Sequence, residues 1–449
     1  MFQRFAISCI IALITLPVAA RTRPHYGGTL HVETEGDPWQ RPNGIARRLV
    51  YDGLTTLDSQ GTVQSALATG WESGNADHRW QFRLRPGVHF HDGSPLTATA
   101  VVQSLNLDCP ANCPWVAVRA VGSIVVFTSD APMPNLPALL AGDQFLIALT
   151  VTEDGKTPNG NIGTGPFQVT SFNNELLTLS ANETCWQGRP FADAIEIRSH
   201  RPLHDQWLDL SIGRADVVQV PAEMLRQAQQ QRFTVLVSPP AFLLGLQVTD
   251  NGALANTMLR AAIAASIDRS ALANVIFQKQ GEATASLLPQ SLTGFSFLFS
   301  VDRDLNKAHE LRGGLNTPTL TLSVDGDGAM RLASQRIALN MKEAGINVQE
   351  VNSGGTSHAD LMLRMIPLEG GEPSAVLESV SRSVGTAATP ADASPASLYK
   401  TERDFLERHT LIPLVDLPNA YAIGARVRDL ALDADGLPDL AGASLGDAP

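Results

Sequence analysis

Leu30 and Val32 alternate with His31 and Glu33 directly after Gly27 and Gly28, which predicts a first strand over 28–34 with one buried face. Residues 80–84 alternate in the same way, and Pro86-Gly87 supplies the turn that closes the run. Thr97 is placed to cap a helix whose apolar positions Val101, Val102 and Leu105 recur at helical spacing. The β-branched stretch 122–129 and the stretch 163–172, which follows a glycine turn, read as further strands. A different texture begins near Pro239-Pro240, with an apolar run over 242–248 and then a helical pattern over 259–267. That pattern stops at Asp268, itself a cap for the next helix. Residues 318–324 predict a strand, 330–344 an amphipathic helix on Met330, Ala333, Ile337, Met341 and Ala344 stopped by Gly345, and 346–351 a second strand. Such a unit folds as β-α-β with its strands parallel. Residues 381–397, rich in Ala, Ser, Thr and Pro, predict a loop, 411–417 a last buried strand, and the tail after Asp433 coil.

The first twenty residues stand outside this pattern. Arg4, an apolar run over 6–16, Pro17 and the small residues Val18, Ala19 and Ala20 have the layout of a cleavable secretory signal (1–20), too short to span a bilayer. Cys9 lies inside the apolar run, so no lipid-anchor cysteine is expected, and the protein is expected to be periplasmic. Residues 21–449 exceed what one core usually holds, so at least two lobes are expected. Acidic residues outnumber basic ones 45 to 33, a formal charge of −12 with His neutral, which speaks against nucleic acid as a partner. Cys109 and Cys113 can form a small local disulfide in an oxidising compartment, or they and Cys185 can be small buried apolar side chains.

Catalytic signatures are weak: no HExxH or Walker A pattern occurs, GxSxG and SxxK occur only as isolated matches at 442–446 and 397–400, and Gly163-Thr164-Gly165 lacks the Lys-Ser or Lys-Thr of a phosphate cradle. An enzyme is not expected, a secreted hydrolase being the alternative from that class. His89 and His91 share a strand face beside Asp92 but read as part of a strand-end turn. His200 and His204 are split by Pro202, and residues 325–328 lack the spaced carboxylates of a calcium loop. Neither a metal nor another cofactor is expected.

Three separated blocks point further. The first holds Tyr51-Asp52-Gly53-Leu54, the Trp71 turn and the run 80–97 with His91-Asp92-Gly93; the second joins Gly163-Thr164-Gly165-Pro166-Phe167 to Asn182, Trp186, Gly188 and Pro190; the third is the helix 259–269. In this order they resemble the dipeptide, oligopeptide and nickel class of ABC-transporter substrate-binding proteins, the bacterial extracellular solute-binding family 5. The resemblance implies an α/β fold, a two-lobed periplasmic binding protein of type II, or Venus-flytrap, form with mixed sheets. It places lobe I over 21–240, completed by 411–449, and lobe II over 241–410, about 170 residues and short for the family, with chain crossings near Pro240 and Leu411. The implied function is capture of a short peptide or similar small solute between the lobes and its delivery to ABC permease subunits in the membrane, by a monomer. A metal chelate or opine-like solute, or a degenerate role as sensor or scaffold, are the alternatives.

The resemblance also implies a ligand site. Peptide-binding members hold the ligand amine with an aspartate in a lobe II segment that matches residues 368–373 here, where Glu369 replaces the aspartate, Glu372-Pro373 match the acidic-Pro pair and the intervening aromatic is missing. Both glutamates can equally lie on a solvated loop. On the lobe I side Glu33, Thr34 and Glu35 end the first strand where members contact ligand, and Trp39 stands close by to cover an apolar group; exposed loop residues are the alternative there.

Overall fold

The computed structural model describes residues 25–446 apart from 41–43, 109–112, 151–160, 174, 296–297, 316, 325, 327, 353–358 and 393. The expected signal segment, Cys109 and Asp325 therefore lie outside the described residues. Among those described, one 11-stranded sheet runs through the molecule. Its N-terminal half centres on Thr29–Glu33, parallel to Ala194–Arg198 and Val217–Gln219, with Leu176–Ala181 and Phe167–Phe172 antiparallel beyond. Its C-terminal half has Leu320–Val324 parallel to both Val348–Asn352 and Leu361–Pro367, as the β-α-β pattern requires. The helix between them, Ala329–Glu343, buries Ala333, Ile337 and Met341, and Gly345 ends the turn at φ +77°.

Two long antiparallel strands, Thr234–Val248 and Leu411–Ile423, join the halves. The first begins earlier than its apolar run suggested and passes through Pro239-Pro240. Proline cannot donate to a ladder, and here the register slips between Val237 and Pro240 and again between Pro240 and Phe242, with Pro240 opposite Pro418. The core changes at the same point. Phe242, Leu244, Leu246 and Val248 pack with Leu414 and Leu417 and the second lobe's helices, whereas Tyr421 packs with the strands of the first lobe. The chain is thus two lobes on one ribbon. A smaller four-stranded sheet, Ala68–Gly74, Arg79–Leu84, Ile124–Thr128 and Ala117–Val121, carries the helix Ala98–Asp108 on an aromatic core of Phe82, Phe127 and Trp115. Thr97 Oγ1 accepts the Ala100 N–H, the cap read from sequence.

Two expectations change. The helices Pro373–Ser383 and Pro395–Leu406 take both ends of the expected 381–397 loop, each opening on a proline in its first turn. The tail contains a short strand, Ser444–Leu445, paired with Val427–Arg428. Of the cysteines, Cys113 is disulfide-bonded and Cys185 is free and buried.

Glu402, on the second of these helices, is buried, and its Oε1 accepts the N–H groups of Leu287 and Leu288. Burial raises its carboxyl to about 7, against the two hydrogen bonds. A raised folded-state value means stability that is complete below the unfolded value of about 4.5 and is lost as pH rises through about 7, on the order of 3 kcal/mol in all. Glu402→Gln keeps an acceptor and removes the titration. Urea unfolding at pH 5 and pH 8 is expected to show a smaller loss of stability in the variant than in the parent; an equal loss in both would refute the assignment.

Candidate ligand site between the lobes

The residues that make the sequence recognisable meet at one buried carboxylate. Asp52 Oδ2 accepts from Thr164 Oγ1 at 2.8 Å and Trp186 Nε1 at 2.9 Å, and Oδ1 accepts from Gln187 Nε2 at 3.3 Å. His91 Nε2 lies 3.0 Å from the Gly165 carbonyl oxygen, which also accepts from Asn182 Nδ2. Burial lowers the His91 ring below its usual value, so His91 fastens the 163–165 turn as a neutral side chain. A Cβ on Gly163 or Gly165 would collide with the backbone at Val50, which is why glycine stands at both. Arg85 covers the Trp186 ring at 4.6 Å. This network ties the small sheet to the large one.

A cavity between the lobes lies elsewhere. A cavity of about 440 Å³ has walls from both lobes: Ser59–Gly61 of the first, Pro289, Leu292 and the stretch around Leu368 and Gly371 of the second, and the ribbon at 236–240. Its volume falls within the usual range for small-molecule sites, about 300–1,000 Å³. The lobes touch directly beside it. Gly371, at φ +71°, packs backbone to backbone on Gly61. Asn135 donates to Glu378 Oε2 at 3.0 Å and accepts from Ser374 Oγ at 2.9 Å.

The sequence candidates distribute unevenly around this seam. Glu369 is half-buried between Leu368 and Gly370, with Oε2 against Gly142 of the first lobe and its charge acting on Arg48. Glu372 is exposed at the start of helix Pro373–Ser383 and makes no side-chain cap. Glu35 is exposed, and its charge, after burial, raises Glu223, whose carboxylate lies beside Gly328 at the head of a second-lobe helix. Glu33 is buried inside the first lobe, 3.8 Å from Arg198 and 3.9 Å from Arg201, and burial and then Asp209 push it up to about 7. Thr34 is buried in a turn in which its Oγ1 accepts the Gly36 N–H. Trp39 packs on Tyr51 and Phe172 with its indole nitrogen buried and lacking an acceptor among the described residues.

Sequence reasoning missed Arg48 and the carboxylates around it. Its guanidinium pairs with Asp143 at 2.5 Å, with Asp435, and with Asp433 at 3.4 Å, joining the first lobe to the C-terminal segment. Burial raises Asp435, and raises Asp433 to about 6 with a further push from Asp435, against Arg48. Among the described residues no group of His, Cys, Asp and Glu is arranged to hold a metal ion, and no helix is long and apolar enough to cross a membrane.

Residues 62–361 match the family model for bacterial extracellular solute-binding proteins, family 5 Middle. The HTH-type transcriptional regulator SgrR of Photorhabdus laumondii is 30% identical over 171 residues, 36% of this chain and 30% of that one. The probable di/tripeptide-binding protein 5 of Pseudomonas aeruginosa is 23% identical over 399 residues, 74% of each chain. The chain spans about 30% of the length of the curated relatives it matches at 30% identity or more. In fold it is similar to the binding protein AgaA of A. tumefacien R10 in complex with agropinic acid, with a TM-score of 0.80 at 18% identity, covering 94% of this chain and 99% of that one. The fold is thus that of the two-lobed type II periplasmic binding proteins.

Two substitutions separate scaffold from seam. Asp52→Ala leaves the Trp186 and Thr164 donors unpaired and is expected to cost about 2–4 kcal/mol in chemical unfolding, with a loss below about 1 kcal/mol counting against the network. Gly371→Ala puts a methyl into Gly61 at a positive φ and is expected to cost about 1–2 kcal/mol of stability while raising the radius of gyration in small-angle scattering; an unchanged radius would show that this contact does not hold the lobes together.

Proposed function

The chain belongs to the bacterial extracellular solute-binding proteins of family 5, and from that premise we propose that it is the substrate-binding component of an ABC importer, taking a short peptide or similarly small solute between its lobes and delivering it to a membrane permease. The observation that carries this is the cavity walled by both lobes at the ribbon where the cores part. Binding at such a place couples occupancy to closure, because a ligand touching both walls has more contacts in the closed state than in the open one. The cavity's size supports a small ligand, and the relative named as a di/tripeptide-binding protein points the same way. Of the sequence-derived contacts, Glu369 lies in the loop that forms one wall, next to Leu368, whereas Glu33, Thr34, Glu35, Trp39 and Glu372 stand away from the cavity lining. The family is one of binding proteins.

A second reading has its own support: the regulator SgrR aligns over 36% of this chain. A ligand-sensing role uses the same cavity and the same closure but reports to another protein in place of a permease.

Ligand at 100 times its dissociation constant stabilises a folded binder by about 2.7 kcal/mol. A thermal-shift screen of the purified protein against separate pools of di- to tetrapeptides, opines, nickel chelates and small oligosaccharides is expected to show a shift confined to one pool. Silence across all pools from a folded protein would overturn the binding reading. A shift with no stimulation of uptake through any permease in reconstituted vesicles would favour the sensor.

A further inference from the structure

The charge in the interlobe cavity comes from the tail. Among the described residues lining it, Asp433 is the one ionisable side chain; the others are apolar, such as Leu236, Val237, Leu292 and Val376, or small and neutral, such as Ser59 and Ser291. Asp433 also lines the adjoining 360 Å³ cavity of the first lobe, so it stands in the partition between the two spaces. The segment that carries it is fixed. Asp433 N–H donates to the Leu437 carbonyl oxygen, Gly436 at φ +76° packs on Ser238 of the ribbon, and Asp433 Oδ1 accepts the N–H groups of Asp435 at 3.0 Å and Leu437 at 2.8 Å.

The other oxygen is poorly matched. Oδ2 lies 3.4 Å from Arg48 Nη1, long for a charge-assisted bond, and the same guanidinium serves Asp143 and Asp435 more closely. One cation thus stands among three carboxylates, and Glu369 adds its field to the same group. A carboxylate in a largely apolar wall without a full counter-charge favours any ligand that brings one, and disfavours an anion there by the same amount.

We propose that Asp433 is the specificity-determining residue of the interlobe cavity, selecting solutes that carry an ammonium or guanidinium group and excluding anionic ones. This rests on the reading that ligand binds between the lobes. The role the sequence assigns to Glu369, whose carboxylate turns toward Gly142 and Arg48, passes to a residue on the C-terminal segment.

The test measures dissociation constants by calorimetry for a cationic pool, made of tripeptides with free amino termini, small alkylamines and guanidino compounds, and a neutral pool of the same tripeptides N-acetylated with small sugars. The parent protein is expected to prefer the cationic pool by at least about tenfold, as loss of one charge pair implies. Asp433→Asn is expected to bring the two pools within about threefold by weakening the cationic one alone, and Glu369→Gln to keep the preference. Asp433→Ser, which keeps an oxygen for the two backbone donors, serves if the asparagine variant does not fold. Preference retained in both Asp433 variants, or lost in Glu369→Gln instead, overturns the proposal. Binding of the parent to neither pool while another class of solute binds overturns it too, and binding of nothing at all removes the interlobe reading with it.

Discussion

Asp52 is the constraint from which the first lobe is built. A carboxylate buried this deeply is tolerated only when donors surround it, and the donors come from two distant stretches, Thr164 on one side and Trp186 with Gln187 on the other. Meeting them requires the 163–165 backbone to run against 49–51 closely enough that only glycine fits at Gly163 and Gly165. His91 and Asn182 then secure Gly165 from two further directions. The small sheet, which sits between these stretches in sequence, is carried into place as a consequence. Burial raises Asp52 while the Trp186 and Thr164 hydrogen bonds act against that rise.

The second lobe joins the first through the ribbon of Thr234–Val248 and Leu411–Ile423, with direct contacts at Gly371, Ser374 and Glu378 beside it. The sheet runs on through the ribbon, but its ladder is interrupted where the lobes meet. The slips at Pro240 opposite Pro418 remove bonds where the cores part, and they do so with residues that cannot restore them. Stiffness is kept inside each lobe and taken away between them. The cavity and the Asn135, Ser374 and Glu378 contacts lie beside this weak line, where a small relative rotation changes them most.

Much of the scaffold was legible because it is local. Alternation marks the strand at 79–84, and helical spacing with a glycine stop marks Ala329–Glu343. The family blocks were legible too, but as structure: their conspicuous residues, Asp52, Trp186, Thr164 and His91, are consumed in holding one another. Site residues were harder. Glu33 ends a strand at the expected place, yet whether it faces ligand or lobe is decided by Arg198, Arg201 and Asp209, which reach it only through parallel pairing and a later helix. Asp433 sits in a tail without periodicity, and its position follows from Ser238 and Arg48, both far away in sequence. The passage of a central strand through Pro239-Pro240 runs against propensity and becomes intelligible only with its partner strand in view.

Closure of such a molecule must be nearly balanced if a small ligand is to control it, because a ligand shifts an equilibrium only by its differential affinity for the two states. The contacts between the lobes fit that demand. The Asn135 hydrogen bond with Ser374 contributes about 0.5–1.5 kcal/mol and the one to the Glu378 carboxylate about 1.5–3 kcal/mol, and the Gly61 to Gly371 contact adds packing without side chains. Beside them one cation is shared across the seam: Asp433 and Asp435 of the C-terminal segment and Glu369 of the second lobe all act on Arg48. That shared guanidinium draws Glu369 toward the first lobe, a further small contribution to the closed state. Under the proposed selection by Asp433, a solute carrying positive charge pairs with that carboxylate while touching both walls, and a contact made only when both walls are engaged is what couples closure to binding.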